Sequence, residues 1–191
     1  MELNRLTAAA ATEAVNVVRG VKPDQLRAPT PCHDWDVQAL TNHLLQVISG
    51  LSLAGRDQAV PQDLWESDLM SDDWAGQFAD EARRGVTAWA NSAAWGTIRM
   101  GSTEMPASLV ATMLASDLVI HGWDLARATG QDYRCDDEVA EVTYRFIVDS
   151  AEQGRGMGIF ARPVPVADDA PTLDRALALS GRDPRWTAAA R

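Results

Sequence analysis

Four long segments of this 191-residue chain repeat apolar residues every three or four positions, and this spacing constrains the fold most. Residues 2–20 place their apolar side chains on one stripe of a helix, and Gly20 is a suitable end for it. Similar stripes run through the segment that begins after Asp36, through residues 73–95 and through residues 106–130. Helices with one apolar stripe bury it against one another, so we expect an all-α protein built as a four-helix bundle.

Shorter elements complete the expected architecture. Residues 97–104 alternate weakly between polar and apolar, which favours a short hairpin. A further helix is expected over residues 136–153, and a last one over residues 171–179. We therefore expect two parts: a four-helix bundle in residues 1–155 and a C-terminal helical extension, residues 156–191, packed on the same domain.

Charge and composition exclude several classes of partner. With 17 basic and 27 acidic residues the formal net charge is −10, which argues against binding to nucleic acid and to an anionic membrane. The sequence has no run of 18 apolar residues that would indicate a membrane span. It also lacks the basic start followed by an apolar stretch that would indicate a signal peptide, so we expect a cytoplasmic protein. The two cysteines lack CxxC spacing and predict no disulfide. Exposed helix faces are compatible with a homodimer.

The fourth predicted helix carries a polar face that needs an explanation. Asp117, His121 and Asp124 are spaced by four and three residues, which places all three side chains on one side of a helix. Two acids and an imidazole cost free energy to bury in an otherwise apolar helix. A metal ion would offset that cost.

His43 supplies the ligand that this face lacks. It lies three residues after Leu40 and four before Val47, and therefore on the inner face of the second helix. His43, Asp117 and His121 would form a set of three ligands that leaves coordination positions open for water or substrate. We expect Zn²⁺, while Ni²⁺, Fe²⁺ and Mn²⁺ suit the same donors. Asp124 is then an acceptor that orients His121, or a fourth ligand.

Other residues near these positions have more than one interpretation. Arg127 could receive a carboxylate of a ligand or pair with Asp124 three residues earlier. Trp35 and Trp123 flank the candidate ligands and could line a pocket or fill the core. Cys32 precedes a helix start, where a thiolate is stabilised, but a packing role is the alternative. Both histidines could likewise be buried and hydrogen-bonded without any metal, in a purely structural bundle.

Three stretches resemble a known family. They are Thr30-Pro-Cys-x-x-Trp-Asp-Val-x-x-Leu-x-x-His43, Asp117-Leu-Val-x-His-Gly-Trp-Asp-Leu-Ala-Arg-Ala-Thr-Gly130 and the closing Ser180-Gly-Arg-Asp-Pro-Arg-Trp186. The pattern is similar to actinobacterial proteins related to mycothiol-dependent maleylpyruvate isomerase, within the DinB/YfiT-like superfamily. The resemblance covers nearly the whole chain.

The resemblance implies a DinB/YfiT-like four-helix bundle whose divalent metal is held by His43, Asp117 and His121. Asp117 is a departure, since many members have a histidine there and the isomerase has a longer carboxylate. The implied function is an enzyme that uses a low-molecular-weight thiol of the mycothiol type for transfer or isomerisation on a small electrophile, with the metal activating the thiol. The alternative is a non-catalytic, metal-binding or stress-related bundle protein.

Overall fold

The computed structural model describes residues 2–33, 35–90 and 96–188. Within these ranges the chain forms five long α-helices and a short one, and two strands pair as an antiparallel hairpin. The helices are α1 (Glu2–Gly20), α2 (Val37–Gly55), α3 (Trp74–Ala90), α4 (Ala107–Thr129), α5 (Asp137–Gly156) and α6 (Thr172–Leu179). The strands are β1 (Thr97–Met100) and β2 (Thr103–Pro106).

The first four helices pack as the bundle that the apolar stripes predict. α1 and α2 each pack against both α3 and α4, and the enclosed side chains are mostly leucine, valine and alanine. The predicted hairpin is also confirmed, with Gly101 at a positive φ of 58° in its turn. The last turn predicted for the third helix, residues 91–95, lies outside the described residues.

α4 is the central helix of the fold. It contacts α1, α2 and α5, and 78% of its most apolar stretch is buried inside the protein. It is long and apolar enough to meet a length-and-composition criterion for a membrane span, which the core helix of a bundle also meets. Gly130 ends it in a left-handed conformation with φ 72°, as predicted.

The C-terminal segment, residues 157–188, covers one side of α4 and α5. α6 packs on α5, and its fully buried Leu177 contacts Ile120 and Trp123 of α4. The expected extension is therefore built onto the bundle, although α5 itself continues to Gly156. The division at residue 155 stays a prediction.

Asp36 caps the helix that carries His43. One oxygen of its carboxylate accepts a hydrogen bond from the Ala39 amide at 2.9 Å, which satisfies a donor left free at the helix start. Asp34 also precedes this helix in the sequence and is an equally suitable cap by residue type, but it lies outside the described residues.

Asp36→Ala is expected to lower the free energy of unfolding by about 1 kcal/mol, because the capping acceptor is lost. Chemical denaturation measures the change. Asp36→Asn keeps an acceptor and loses only the exposed pairing with Arg27, so it should retain most of the stability. Equal losses in both variants would contradict a capping role.

Candidate metal centre

The loop before α2 carries two of the predicted site residues. The Thr30 hydroxyl lies 2.8 Å from the Trp35 carbonyl oxygen and accepts a hydrogen bond from the Cys32 amide at 3.1 Å. Because Asp36 then caps α2, His43 follows two turns into the helix. The loop thus holds Cys32 and Trp35 at the same cavity as His43.

His43 and His121 bring two imidazoles together from α2 and α4. Their ring centroids are 4.9 Å apart and the ring planes meet at 83°. The indole of Trp35 lies 4.6 Å from the His43 ring and 5.5 Å from the His121 ring. This arrangement agrees with the expectation that the two helices face each other at these histidines.

A cavity of about 310 Å³ opens at these rings. Its polar wall contains the two imidazoles and the side chains of Cys32, Asp117 and Arg182. Its other wall is apolar and comes from α4, α5 and the segment that follows α5. The lining residues of that wall include Ile120, Phe146, Ile147, Gly158, Ile159 and Phe160.

Asp117 has a carboxylate without a hydrogen bond to any residue that the structure describes. Burial raises the pKa of Asp117 above its usual value, and the nearby charges of His121 and Arg182 only partly oppose this effect. The side chain is half-buried and lines the cavity, so its carboxylate is open to the cavity and has no fixed partner among the described residues. It is therefore suited to accept a cation.

His43 is held as a neutral imidazole. Burial, with smaller effects of the neighbouring His121 and Arg182, lowers its pKa to about 3, and the contact with Gln46 opposes this shift only in part. Gln46 donates from its amide nitrogen to the Ser67 carbonyl at 2.7 Å, and its oxygen lies 3.4 Å from His43 Nδ1. Since that oxygen only accepts, the proton belongs on Nδ1 and the Nε2 lone pair is available to a metal.

Asp124 plays the corresponding part for His121. Its carboxylate is fully buried, lies 3.0 Å from His121 Nδ1, and accepts hydrogen bonds from Arg182 Nη2 at 3.0 Å and Nε at 3.2 Å. Burial raises the pKa of Asp124, but the Arg182 charge and the hydrogen bonds outweigh burial and hold the pKa below its usual value. The ionised carboxylate accepts from Nδ1–H and leaves His121 Nε2 free, which agrees with the orienting role predicted for Asp124.

Among the described residues, the donors that lie close enough together to share a metal ion are those of Cys32, His121 and Asp124, and neither His43 nor Asp117 belongs to this group. The Cys32 sulfur, a ring nitrogen of His121 and a carboxylate oxygen of Asp124 lie within 4.8 Å of one another. The carboxylate of Asp124 is already engaged by Arg182 and His121, which disfavours it as a ligand. We therefore keep Cys32 as a wall residue, and the metal set of His43, Asp117 and His121 stays a prediction.

Arg127 and Trp123 lie away from this cavity. Arg127 donates to the Trp186 carbonyl oxygen at 3.1 and 2.9 Å, and its guanidinium carbon lies 5.9 Å from the Trp123 ring centroid. The pairing of Arg127 with Asp124, one of its two interpretations from sequence, is absent from the described contacts, and Arg182 pairs with Asp124 instead. Trp123 follows His121 by two residues, about 200° around the helix, and so faces the C-terminal segment.

Sequence reasoning missed two contributors to the site. Gln46 could have been found, since it follows His43 by three residues on the same helix face. Arg182 lies 58 residues from Asp124 and carries no local sign that its side chain is buried. Only the path of the C-terminal segment brings Arg182 to the cavity.

Facing imidazoles and a carboxylate inside a helical bundle are the kind of donors with which bundle proteins bind metal ions. The chain matches the family model described as the mycothiol maleylpyruvate isomerase N-terminal domain over residues 7–126. The match spans more than half of the chain, so the protein belongs to that family.

Two proteins of Mycobacterium tuberculosis, described as uncharacterized and taken from strains CDC 1551 and H37Rv, are each 31% identical over 176 residues. These alignments cover 88% of this chain and 91% of each relative.

Solved structures of the same fold confirm the predicted DinB-like bundle. A crystal structure of the mycothiol-dependent maleylpyruvate isomerase superposes with a TM-score of 0.61 and 14% sequence identity. The aligned region covers 89% of this chain and 77% of that one. A histidine-to-alanine mutant of the isomerase gives a TM-score of 0.59. At this level of identity the likeness establishes the fold.

Proposed function

We propose that the protein is a divalent-metal-dependent enzyme that uses a low-molecular-weight thiol of the mycothiol type on a small electrophile, in transfer or isomerisation. The observation that carries the proposal is the cavity lined by two facing imidazoles and by a carboxylate without a hydrogen-bond partner among the described residues. The family name supports mycothiol as the thiol class. We place this activity in the cytoplasm.

The residues present fit a divalent ion. His43, Asp117 and His121 supply two nitrogen donors and one oxygen donor, a set typical of catalytic zinc sites. The Nδ1 atom of His43 faces the side-chain oxygen of Gln46, and the Nδ1 atom of His121 faces the carboxylate of Asp124. Histidine ligands in metal proteins have the same kind of partner on the nitrogen that does not bind the metal. A bound divalent ion would act as a Lewis acid and lower the pKa of a thiol at the site.

Charge at the cavity favours a ligand with one negative charge. Two carboxylates, Asp117 and Asp124, face one guanidinium, Arg182, so the protein groups carry one negative charge in excess. A divalent ion reverses that excess to one positive charge. A thiolate or a carboxylate would then complete neutrality in a site with little access to water.

The apolar residues of the cavity indicate what else the ligand contains besides its charged group. Phe146, Ile147 and Phe160 line the same cavity as the polar groups and would help to exclude water from the reacting thiol. A volume of about 310 Å³ lies at the small end of ligand sites, which suits a compact electrophile. The bulkier part of the thiol would extend towards the opening.

Purified, metal-replete protein is expected to contain about one divalent ion per chain by elemental analysis. Addition of a thiol to the cobalt-substituted form should produce a near-ultraviolet thiolate-to-cobalt band, because a free coordination position accepts the sulfur. Cys32→Ser should still show the band, which excludes the Cys32 thiol as its source. The S-methylated form of the same thiol should not produce it.

The outcomes separate the candidate functions. Absence of stoichiometric metal overturns the proposal. If metal is bound but its spectrum does not change when the thiol is added, the result favours the alternative function, a non-catalytic metal-binding protein. A band that disappears in Cys32→Ser would reassign the sulfur ligand to the protein.

A further inference from the structure

We propose that Arg182 is a positioning residue of the candidate metal centre, acting through Asp124 to fix the orientation and the tautomer of His121. The proposal rests on the function proposed above, and it makes the C-terminal segment a working part of the site. The family match ends at residue 126, so Arg182 lies outside the region that defines the family.

Arg182 dominates the surroundings of Asp124. Three of the four hydrogen bonds to this carboxylate come from the guanidinium, and the fourth contact is His121 Nδ1 at 3.0 Å. The side chain of Arg182 is 9% exposed and that of Asp124 is fully buried. Water therefore has little access to replace the guanidinium if it is removed.

The planar fork of the guanidinium sets the plane of the carboxylate. Nε and Nη2 both donate to Asp124 Oδ2, and Nε also approaches Oδ1 at 3.3 Å. A carboxylate held in this way directs Oδ2 at His121 Nδ1. Without the fork, the carboxylate would be free to rotate about its side-chain torsions and His121 would lose a fixed acceptor.

The C-terminal segment is built to deliver Arg182 to this point. Gly181 has a φ of 93°, and a Cβ there would lie 2.6 Å from the Ala161 Cβ and 3.0 Å from Ala161 backbone atoms, so the turn requires glycine. Ser180 Oγ donates to the Leu177 carbonyl oxygen at 2.8 Å on one side of the turn. Trp186, four residues beyond Arg182, has its own contact with Arg127 of α4, and this contact is separate from the turn that places Arg182.

The experiment compares Arg182→Met and Arg182→Lys with a matched control, Arg127→Gln. Arg127 also ties the C-terminal segment to α4, but it has no described contact with Asp124 or the cavity. Two properties are measured: the tautomer of His121 in metal-free, ¹⁵N-labelled protein by long-range proton–nitrogen NMR, and the dissociation constant for Co²⁺. With three histidines in the chain, His→Ala variants assign the signals.

Wild-type His121 is expected to carry its proton on Nδ1. Arg182→Met should give a mixture of tautomers and weaken Co²⁺ binding by about 10–100-fold, the usual cost of losing a partner that orients a metal ligand. Arg182→Lys should give a tautomer ratio and a Co²⁺ affinity between those of the wild type and Arg182→Met. Lysine keeps the positive charge but lacks the planar guanidinium that orients the carboxylate. Arg127→Gln should match the wild type in both measurements.

Each departure from this pattern has a distinct meaning. A folded Arg182→Met protein with wild-type tautomer and Co²⁺ affinity overturns the positioning role. If Arg182→Met does not fold, Arg182→Lys and Asp124→Asn decide the question, and wild-type behaviour in both overturns it. A wild type that binds no Co²⁺, but whose His121 tautomer responds to Arg182→Met, rejects the proposed function and retains the positioning role.

Discussion

His43→Ala and His121→Ala are each expected to reduce bound metal from about one ion per chain to background. The reason is that each change removes one of three protein ligands, and a carboxylate with one imidazole holds a divalent ion much more weakly than the full set. Elemental analysis after dialysis against metal-free buffer measures the loss. Because the ligands come from α2 and α4, mutation of either helix should empty the site.

His33→Ala is the matched control for these variants. His33 is the third histidine of the chain, is exposed and does not line the cavity. It should retain wild-type metal content, which separates loss of a ligand from loss of any surface imidazole. Wild-type metal content in both His43→Ala and His121→Ala would reject the proposed ligand set and favour a purely structural bundle.

The sequence predicts the bundle and one histidine pair well because both depend on helical periodicity. Apolar residues at three- and four-residue steps fix which face of each helix turns inward. His43 lies within such a stripe on α2, and His121 lies one turn after Asp117 on α4. Once two helices pack through their stripes, residues within the stripes meet, and the 4.9 Å separation of the two rings follows from that.

The same periodicity explains why Trp123 and Arg127 are misplaced by proximity in sequence. Both lie within a few positions of His121 in the sequence, which suggests that they lie beside the ligands. In a helix, the two-residue step from His121 to Trp123 turns the side chain by about 200°, and the six-residue step to Arg127 turns it by about 240°, so both point away from His121. The C-terminal segment covers that side, where Arg127 meets the Trp186 carbonyl oxygen.

Arg182 shows the limit of reading local pattern. The segment Gly181-Arg-Asp-Pro is polar and typical of an exposed turn, and Asp183 and Arg185 are indeed exposed there. Arg182 is buried because its partner is a buried carboxylate on another helix, and that pairing depends on the tertiary path of the chain. An acidic residue such as Asp124 within an apolar helix indicates that a cationic partner offsets the cost of burying it. The sequence does not indicate which residue is that partner.

In chelator-treated protein, stability is expected to fall as the pH drops from about 6.5, because of His43. Its pKa is about 3 in the folded state against 6.5 for the free side chain. Between these values the unfolded chain binds a proton that the folded protein does not, so acidification favours unfolding. From about pH 7 to about pH 4.5 the loss due to His43 is roughly 2 kcal/mol, after allowance for its partial exposure to the cavity.

Two carboxyl groups shape the same profile and must be separated from His43. Asp124, with a lowered pKa, stabilises the fold above the unfolded value of 3.8 and loses this contribution only at lower pH. Asp117, with a raised pKa, acts in the opposite direction, because the folded protein gains its proton first as the pH falls towards 3.8.

His43→Gln removes the imidazole and leaves both carboxyl groups. The difference in unfolding free energy between wild type and His43→Gln should therefore shrink by roughly 2 kcal/mol from about pH 7 to about pH 4.5. A difference that stays constant over this range would show that His43 is solvated, and would remove the basis for treating it as a neutral, buried metal ligand.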